Sequence, residues 1–211
     1  MRIVRAVAVI LAFLVLGSLL TFADVLKITV DDTIQPISQE FIARAIHEAG
    51  NTGATALLIE LRTPGGMESA MRKIIEDINS SPVPVIVYIA PTGSRAASAG
   101  FLILESADVA AMAPGTNTGA AHPVMMTPWG STVEPDKVMV EKITNDAAAF
   151  MRSIASKRGR NVKVAESVVR ESKSFTDQEA LDQGLIDIVS PSEQQLLHDL
   201  DGRKIKRFNG A

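Results

Sequence analysis

The stretch Ala56-Leu57-Leu58-Ile59-Glu60-Leu61-Arg62-Thr63-Pro64-Gly65-Gly66 decides the fold. Its first six residues are apolar apart from Glu60, a run short enough for a buried strand. Thr63 to Gly66 breaks that run. Met67, Met71, Ile74, Ile75 and Ile78 then recur at helical spacing. Strand, glycine turn and amphipathic helix form the repeating step of a parallel α/β sheet. The pattern extends in both directions. Upstream, Val25–Val30 reads as a strand, and Ile37, Phe41, Ile42, Ala45 and Ile46 mark the helix after it, with Ser38 and Asn51 near its ends. Downstream, Pro82 and Pro84 restrict the approach to an apolar strand at Val85–Ile89. Pro91–Arg95 and a small-residue turn lead into the hydrophobic stretch Ala96–Leu104, and Val109–Ala113 is a further strand.

The remainder is more helical. Ala120 to Pro135 reads as a long loop or flap carrying His122-Pro123, Met125-Met126 and Pro128-Trp129-Gly130. A long helix is predicted from about Asp136 to Lys157, with Ile143, Ala147, Phe150, Met151 and Ile154 on one face, and a shorter one over Ala165–Glu171. Thr176-Asp177-Gln178-Glu179 has the form of a capping box, and Gly184 stops the brief helix it opens before a strand at Ile186–Val189. The expected class is α/β with a mainly parallel sheet, without internal repeats or a low-complexity linker. Residues 24–190 form its domain. Residues 191–211 read as a C-terminal tail, possible as the start of a further region.

Composition removes several kinds of function. The 211 residues carry a net charge of −3, so no basic surface for nucleic acid is expected. Without cysteine there is no disulfide, thiolate metal site, iron–sulfur cluster or cysteine nucleophile. Three histidines and 4% aromatic residues argue against a multi-histidine metal centre and against a stacking platform for single strands. No cofactor is expected. At the N-terminus, Arg2 and Arg5 precede an apolar run from Ala6 to Leu20, and Thr21-Phe22-Ala23 follows with small residues spaced as at a signal-peptidase site. Residues 1–23 therefore read as a signal peptide or membrane anchor, with the two arginines keeping the N-terminus cytoplasmic and the remainder crossing the membrane.

Two turns could hold chemistry. Pro64-Gly65-Gly66 lies between a strand and a helix, where amides at the helix start point toward negative charge and suit an oxyanion. The same turn could serve only the path of the chain. It is neither a phosphate loop nor a dinucleotide fingerprint. Ala96-Ala97-Ser98-Ala99-Gly100 surrounds a serine with small neighbours at another helix start. Ser98 could be a nucleophile or an ordinary N-cap, and Ser94 is its rival in either role. Candidate bases are His122, Lys142 and a carboxylate.

Taken together, the two turns resemble those of the Clp-class serine peptidases. Ala113-Pro114-Gly115-Thr116-Asn117-Thr118-Gly119-Ala120-Ala121-His122-Pro123, Glu141-Lys142-Ile143-Thr144-Asn145-Asp146, Gly159-Arg160-Asn161 and Glu179-Ala180-Leu181-Asp182-Gln183-Gly184-Leu185-Ile186-Asp187 narrow the resemblance to the NfeD family. These are membrane-bound serine proteases, partners of stomatin-like proteins. The resemblance implies a Clp/crotonase-like fold of stacked β-β-α units and a Ser–Lys dyad. Ser98 would be the nucleophile and Lys142 the general base, with the amides of Gly66 and Ala99 forming the oxyanion hole. It also implies a homodimer and, as substrate, apolar segments of membrane proteins such as a stomatin-like partner. The catalytic domain would be membrane-associated on the extracytoplasmic side. Longer family members continue into membrane-spanning segments and a small β-barrel, so the chain is expected to be a fragment or a shorter form.

The base is the demanding part. With a reference pKa of about 10.4, a lysine at pH 7 is neutral in roughly one molecule in 2,500, a cost of about 4.6 kcal/mol. Apolar, dry surroundings must remove most of that. Yet Lys142 lies about 120° from the centre of its helix's apolar stripe, as a surface lysine would. A neighbouring subunit or the flap could supply the cover. His122, in a His-Pro context like that of the soluble Clp peptidases, is the alternative base, more easily neutral at pH 7. Met125, Met126 and Trp129 would let the flap grip apolar peptide or would simply pack on the body. Two other functions remain open to the sequence: a crotonase-like acyl-CoA enzyme, and an inactive membrane-assembly scaffold.

Overall fold

A computed structural model describes residues 24–125 and 136–208. The expected N-terminal signal or anchor, Met126 and Trp129 lie outside the described residues. Strand β1 (Val25–Asp31) leads to helix α1 (Pro36–Thr52), and β2 (Ala56–Arg62) leads through the glycine turn to α2 (Glu68–Ser80). Then come β3 (Val85–Ile89), β4 (Arg95–Ala97), α3 (Ala99–Ser106), β5 (Val109–Met112) and β6 (Asn117–Gly119). The long α4 (Lys137–Arg158) is followed by α5 (Val162–Glu171), β7 (Ser174–Thr176), α6 (Asp177–Asp182), β8 (Ile188–Val189) and α7 (Glu193–Leu200).

The main sheet has five strands in the order β1-β2-β3-β5-β8, and every neighbouring pair is parallel. Alternation along each strand sends side chains to opposite faces. Leu57, Ile59, Leu61, Val85, Val87 and Ile89 enter the larger core beneath the helices, whereas Leu58, Ile86 and Tyr88 enter a smaller core with Leu196 and Leu200 of α7. The sheet is therefore covered on both faces, which explains why β2 and β3 read as near-continuous apolar runs. Leu196 is fully buried, and the Tyr88 hydroxyl donates to the Ser190 carbonyl at 2.7 Å. The tail expected after residue 190 thus begins as a helix packed on the sheet. Among the described residues no helix is long and apolar enough to cross a membrane.

A second sheet holds the site. Its order is β4-β6-β7, with β4 and β6 parallel and β6 and β7 antiparallel. Each of its strands has three residues, too few for a hydrophobic alternation to reveal. Thr63 joins the two sheets: its amide donates to the Arg95 carbonyl at 2.8 Å, and its carbonyl accepts from the Ala97 amide at 3.1 Å.

Other expectations agree in type and differ in limits. The capping box at Thr176 is present, with the Thr176 hydroxyl accepting from the Glu179 amide and the Glu179 carboxylate accepting from the Thr176 amide. Asp136 caps α4 through bonds from the Val138 and Met139 amides. Ser38 is not the cap of α1 but its third residue, bonded reciprocally to Gln35, which holds the cap position. Helix α5 begins at Val162 rather than Ala165 because Asn161 accepts from the Val164 amide.

Candidate active site

Ser98 stands where β4 ends and α3 begins, with φ 53° and ψ −117°. A non-glycine residue at positive φ is costly and is kept only where the surroundings enforce it. Here the Ser98 amide donates to the Gly119 carbonyl of β6 at 2.8 Å, and the Ser98 carbonyl accepts from the Phe101 amide at 3.0 Å. The hydroxyl makes no capping bond to its own helix. An N-cap role would require that bond, so the ordinary reading of this serine fails and its oxygen is left to act elsewhere. The rival Ser94 is buried, in the turn where its amide donates to the Pro91 carbonyl.

The glycine turn meets this serine. A Cβ at Gly65 would fall 2.7 Å from the Ser98 Cβ and 3.2 Å from its Oγ, and Gly65 has φ 117°. A Cβ at Gly66 would fall 2.0 Å from the Ile34 carbonyl oxygen. Both positions therefore require glycine, for clearance as much as for torsion. The Ile34 amide donates to the Gly65 carbonyl at 2.8 Å, and the Met67 amide to the Ile34 carbonyl at 2.7 Å. The Gly65 amide donates to the Thr63 hydroxyl at 3.1 Å, which itself donates to the Gly65 carbonyl at 3.2 Å. Among the described residues neither the Gly66 amide nor the Ala99 amide has an acceptor. The fold brings together two turns far apart in sequence and leaves one free donor on each.

The two candidate bases have different surroundings. Lys142 is exposed on α4, as its angular position predicts, rather than held among apolar groups. One turn further on, Asp146 pairs with Arg72 of α2, which also bonds Glu68 in the first turn of that helix. That pairing ties α4 to α2 one turn beyond Lys142. His122 is half-buried after β6, with Nδ1 3.0 Å from the Val169 carbonyl of α5. A carbonyl can only accept, so Nδ1 carries the proton and Nε2 of a neutral ring is the free acceptor. Of the flap residues, Met125 is exposed. Among the described residues no cluster of His, Asp and Glu could hold a metal.

At its far end α3 is held by Arg160, which the sequence offered only within a family motif. Its guanidinium donates to the carbonyls of Glu105 and Ala107 and pairs with Asp187 at 2.8 Å. Glu105, in the last turn of α3, is fully buried, and neither carboxyl oxygen has a partner. Burial pushes its pKa up to about 8, only partly opposed by the Arg160 charge. It is therefore mostly protonated at neutral pH.

Comparison with known proteins identifies the family and the fold. Residues 24–197 match the family described as NfeD1b, N-terminal domain. The chain is 40% identical over 164 residues to the membrane-bound protease PH1510 of Pyrococcus horikoshii, covering 77% of this chain and 36% of that protein. It is 32% identical over 94 residues to the membrane protein NfeD1b of Bacillus subtilis, covering 44% of this chain and 21% of that one. The chain thus spans about a third or less of the length of these relatives. Two solved structures of the 1510-N membrane-bound stomatin-specific protease superpose on it. A serine-to-alanine mutant gives a TM-score of 0.83 at 36% identity, covering 91% of this chain and 92% of that one. A lysine-to-alanine mutant in complex with a substrate peptide gives 0.80 at 34% identity, covering 90% of each chain. These likenesses establish the Clp-like α/β fold, and the chain belongs to the NfeD1b family, of which residues 24–197 are the N-terminal domain.

Proposed function

We propose that this domain is a serine endopeptidase that cleaves apolar segments of membrane proteins, a stomatin-like partner among them. The observation that carries the reading is the uncapped Ser98, held at positive φ with Gly65 against its side chain. Ser98 Oγ attacks the scissile carbonyl. The amides of Gly66 and Ala99 receive the negative charge that develops on its oxygen. Lys142 takes the hydroxyl proton and returns it to the leaving amine, and water then hydrolyses the acyl-enzyme. The mutated serine and lysine of the 1510-N protease support these two roles.

A neutral amine needs apolar cover that the described residues do not give Lys142. The reading therefore includes a homodimer in which a second copy lies over the first turns of α4, where Val138 and Met139 are 61% and 42% exposed. Met125, Met126 and Trp129 form the grip on apolar substrate, and the domain works at the extracytoplasmic face of a membrane.

Labelling of Ser98 by a fluorophosphonate and cleavage of an internally quenched apolar peptide test the reading. Ser98→Ala is expected to abolish both, Lys142→Ala to slow both by about 100-fold or more, and His122→Ala to retain both. Activity that survives the lysine change and is lost with the histidine change would transfer the base to His122. Labelling that does not depend on Ser98 would end the reading.

A further inference from the structure

The Gly65–Gly66 peptide is the weakest mechanical part of the proposed oxyanion hole. With glycine on both sides it meets little torsional resistance to a half turn. Such a turn would aim a carbonyl where a donor is needed, and the anion would meet a like partial charge. Something must hold this peptide in one sense.

Thr63 is built to do so. Its side chain is buried, 2% exposed, and its backbone is clamped on both sides by β4 through Arg95 and Ala97. One hydroxyl can donate once and accept as well. This one does both within a single residue, accepting from the Gly65 amide at 3.1 Å and donating to the Gly65 carbonyl at 3.2 Å. The Ile34 amide adds a second donor to that carbonyl at 2.8 Å. A trans peptide is planar, with its carbonyl and amide pointing opposite ways. Pinning the Gly65 oxygen therefore aims the Gly66 amide away from Ile34 and Thr63, free of any described partner. The methyl of the same side chain packs against the start of α3, where a Cβ at Gly100 would fall 2.5 Å from Thr63 Cγ2. Gly100 follows Ala99, the other proposed donor.

We propose that Thr63 is a positioning residue that latches the oxyanion hole: its hydroxyl holds the sense of the Gly65–Gly66 peptide. The role rests on the peptidase reading and adds a residue to it that touches neither substrate nor scissile bond.

Thr63→Ser and Thr63→Ala, which differ only in the hydroxyl, form the test, with Thr63→Val repeating the loss of the hydroxyl while keeping the methyl. Each is assayed on the quenched apolar peptide and with the fluorophosphonate, after its urea midpoint shows a folded protein. The serine variant is expected to keep kcat within about threefold of the parent. The alanine and valine variants should lose about 10- to 100-fold in kcat, with KM changed less than about twofold and acylation by the probe slowed in parallel. Whichever hydroxyl-free variant folds suffices. A folded alanine or valine variant as fast as the serine variant overturns the latch, as does a loss confined to KM. Ser98→Ala, run alongside, separates the two readings: if the parent's turnover does not depend on Ser98, the peptidase reading fails and the latch fails with it.

Discussion

Glu105 shows how one buried atom pair sets a response of the whole protein. Its carboxyl lacks any partner and sits fully inside the fold, so the neutral acid is the favoured form, with a pKa raised from 4.5 to about 8. Below the unfolded value both states hold the proton, and this group adds no pH dependence. Between about 4.5 and 8 only the folded state holds it, so stability falls as pH rises across that window. Glu105→Gln imitates the protonated acid and should remove that slope. Urea midpoints are expected to coincide near pH 4, with the variant more stable by a few kcal/mol at pH 8. Equal slopes in the two proteins would show that Glu105 keeps its charge in the fold. The sequence holds no hint of this group, because Glu105 looks like the polar end of a hydrophobic helix, and only its complete burial in the fold makes it unusual. Ser98 was legible from its small neighbours. The free state of its hydroxyl was not, since capping is decided by a torsion.

Most elements of four residues or more could be read from apolar runs, spacing or caps, and those of three could not. Strands β4, β6 and β7 are defined by pairing across distant parts of the chain: Arg95 to Ala97 beside Asn117 to Gly119, which lie beside Ser174 to Thr176. A run of three residues carries no period, so the sheet that seats Ser98 is visible only once it forms. Helix α7 lay in the stretch read as a tail: it opens with Ser192 accepting from the Gln195 amide, but its three leucines are too few to stand out. Helix α3 belongs to the same scale. Its eight residues run from beside Ser98 to carbonyls held by Arg160, a cation at the end where a helix is negative. Arg160→Met leaves those carbonyls and Asp187 without their partner. It is expected to lower stability by about 3 kcal/mol, read as a reduced urea midpoint. A change below about 1 kcal/mol would mean that water replaces the guanidinium at no loss.

At the scale of the molecule, the division between what was readable and what was not follows the base. Ser98 and both turns belong to a body whose core lies within one chain. Lys142 lies where that body ends, on the exposed first half of α4, and the role proposed for it calls for a neighbour. Sedimentation at micromolar concentration should report a dimer. Met139→Asp, by placing a charge on that face, should shift it toward monomer and slow acylation of Ser98 together. A monomeric parent with full Ser98-dependent activity would show that the amine finds its cover within the single chain.

The backbone at Ser98 carries one more implication. An alcohol kept in a torsional range normally left to glycine, and denied the hydrogen bond that would relax it, rests about 1–3 kcal/mol uphill. Durability and turnover are thus opposed at one position. A Ser98→Gly change would relieve that torsion and remove the alcohol together, gaining endurance while losing the reactivity proposed for it.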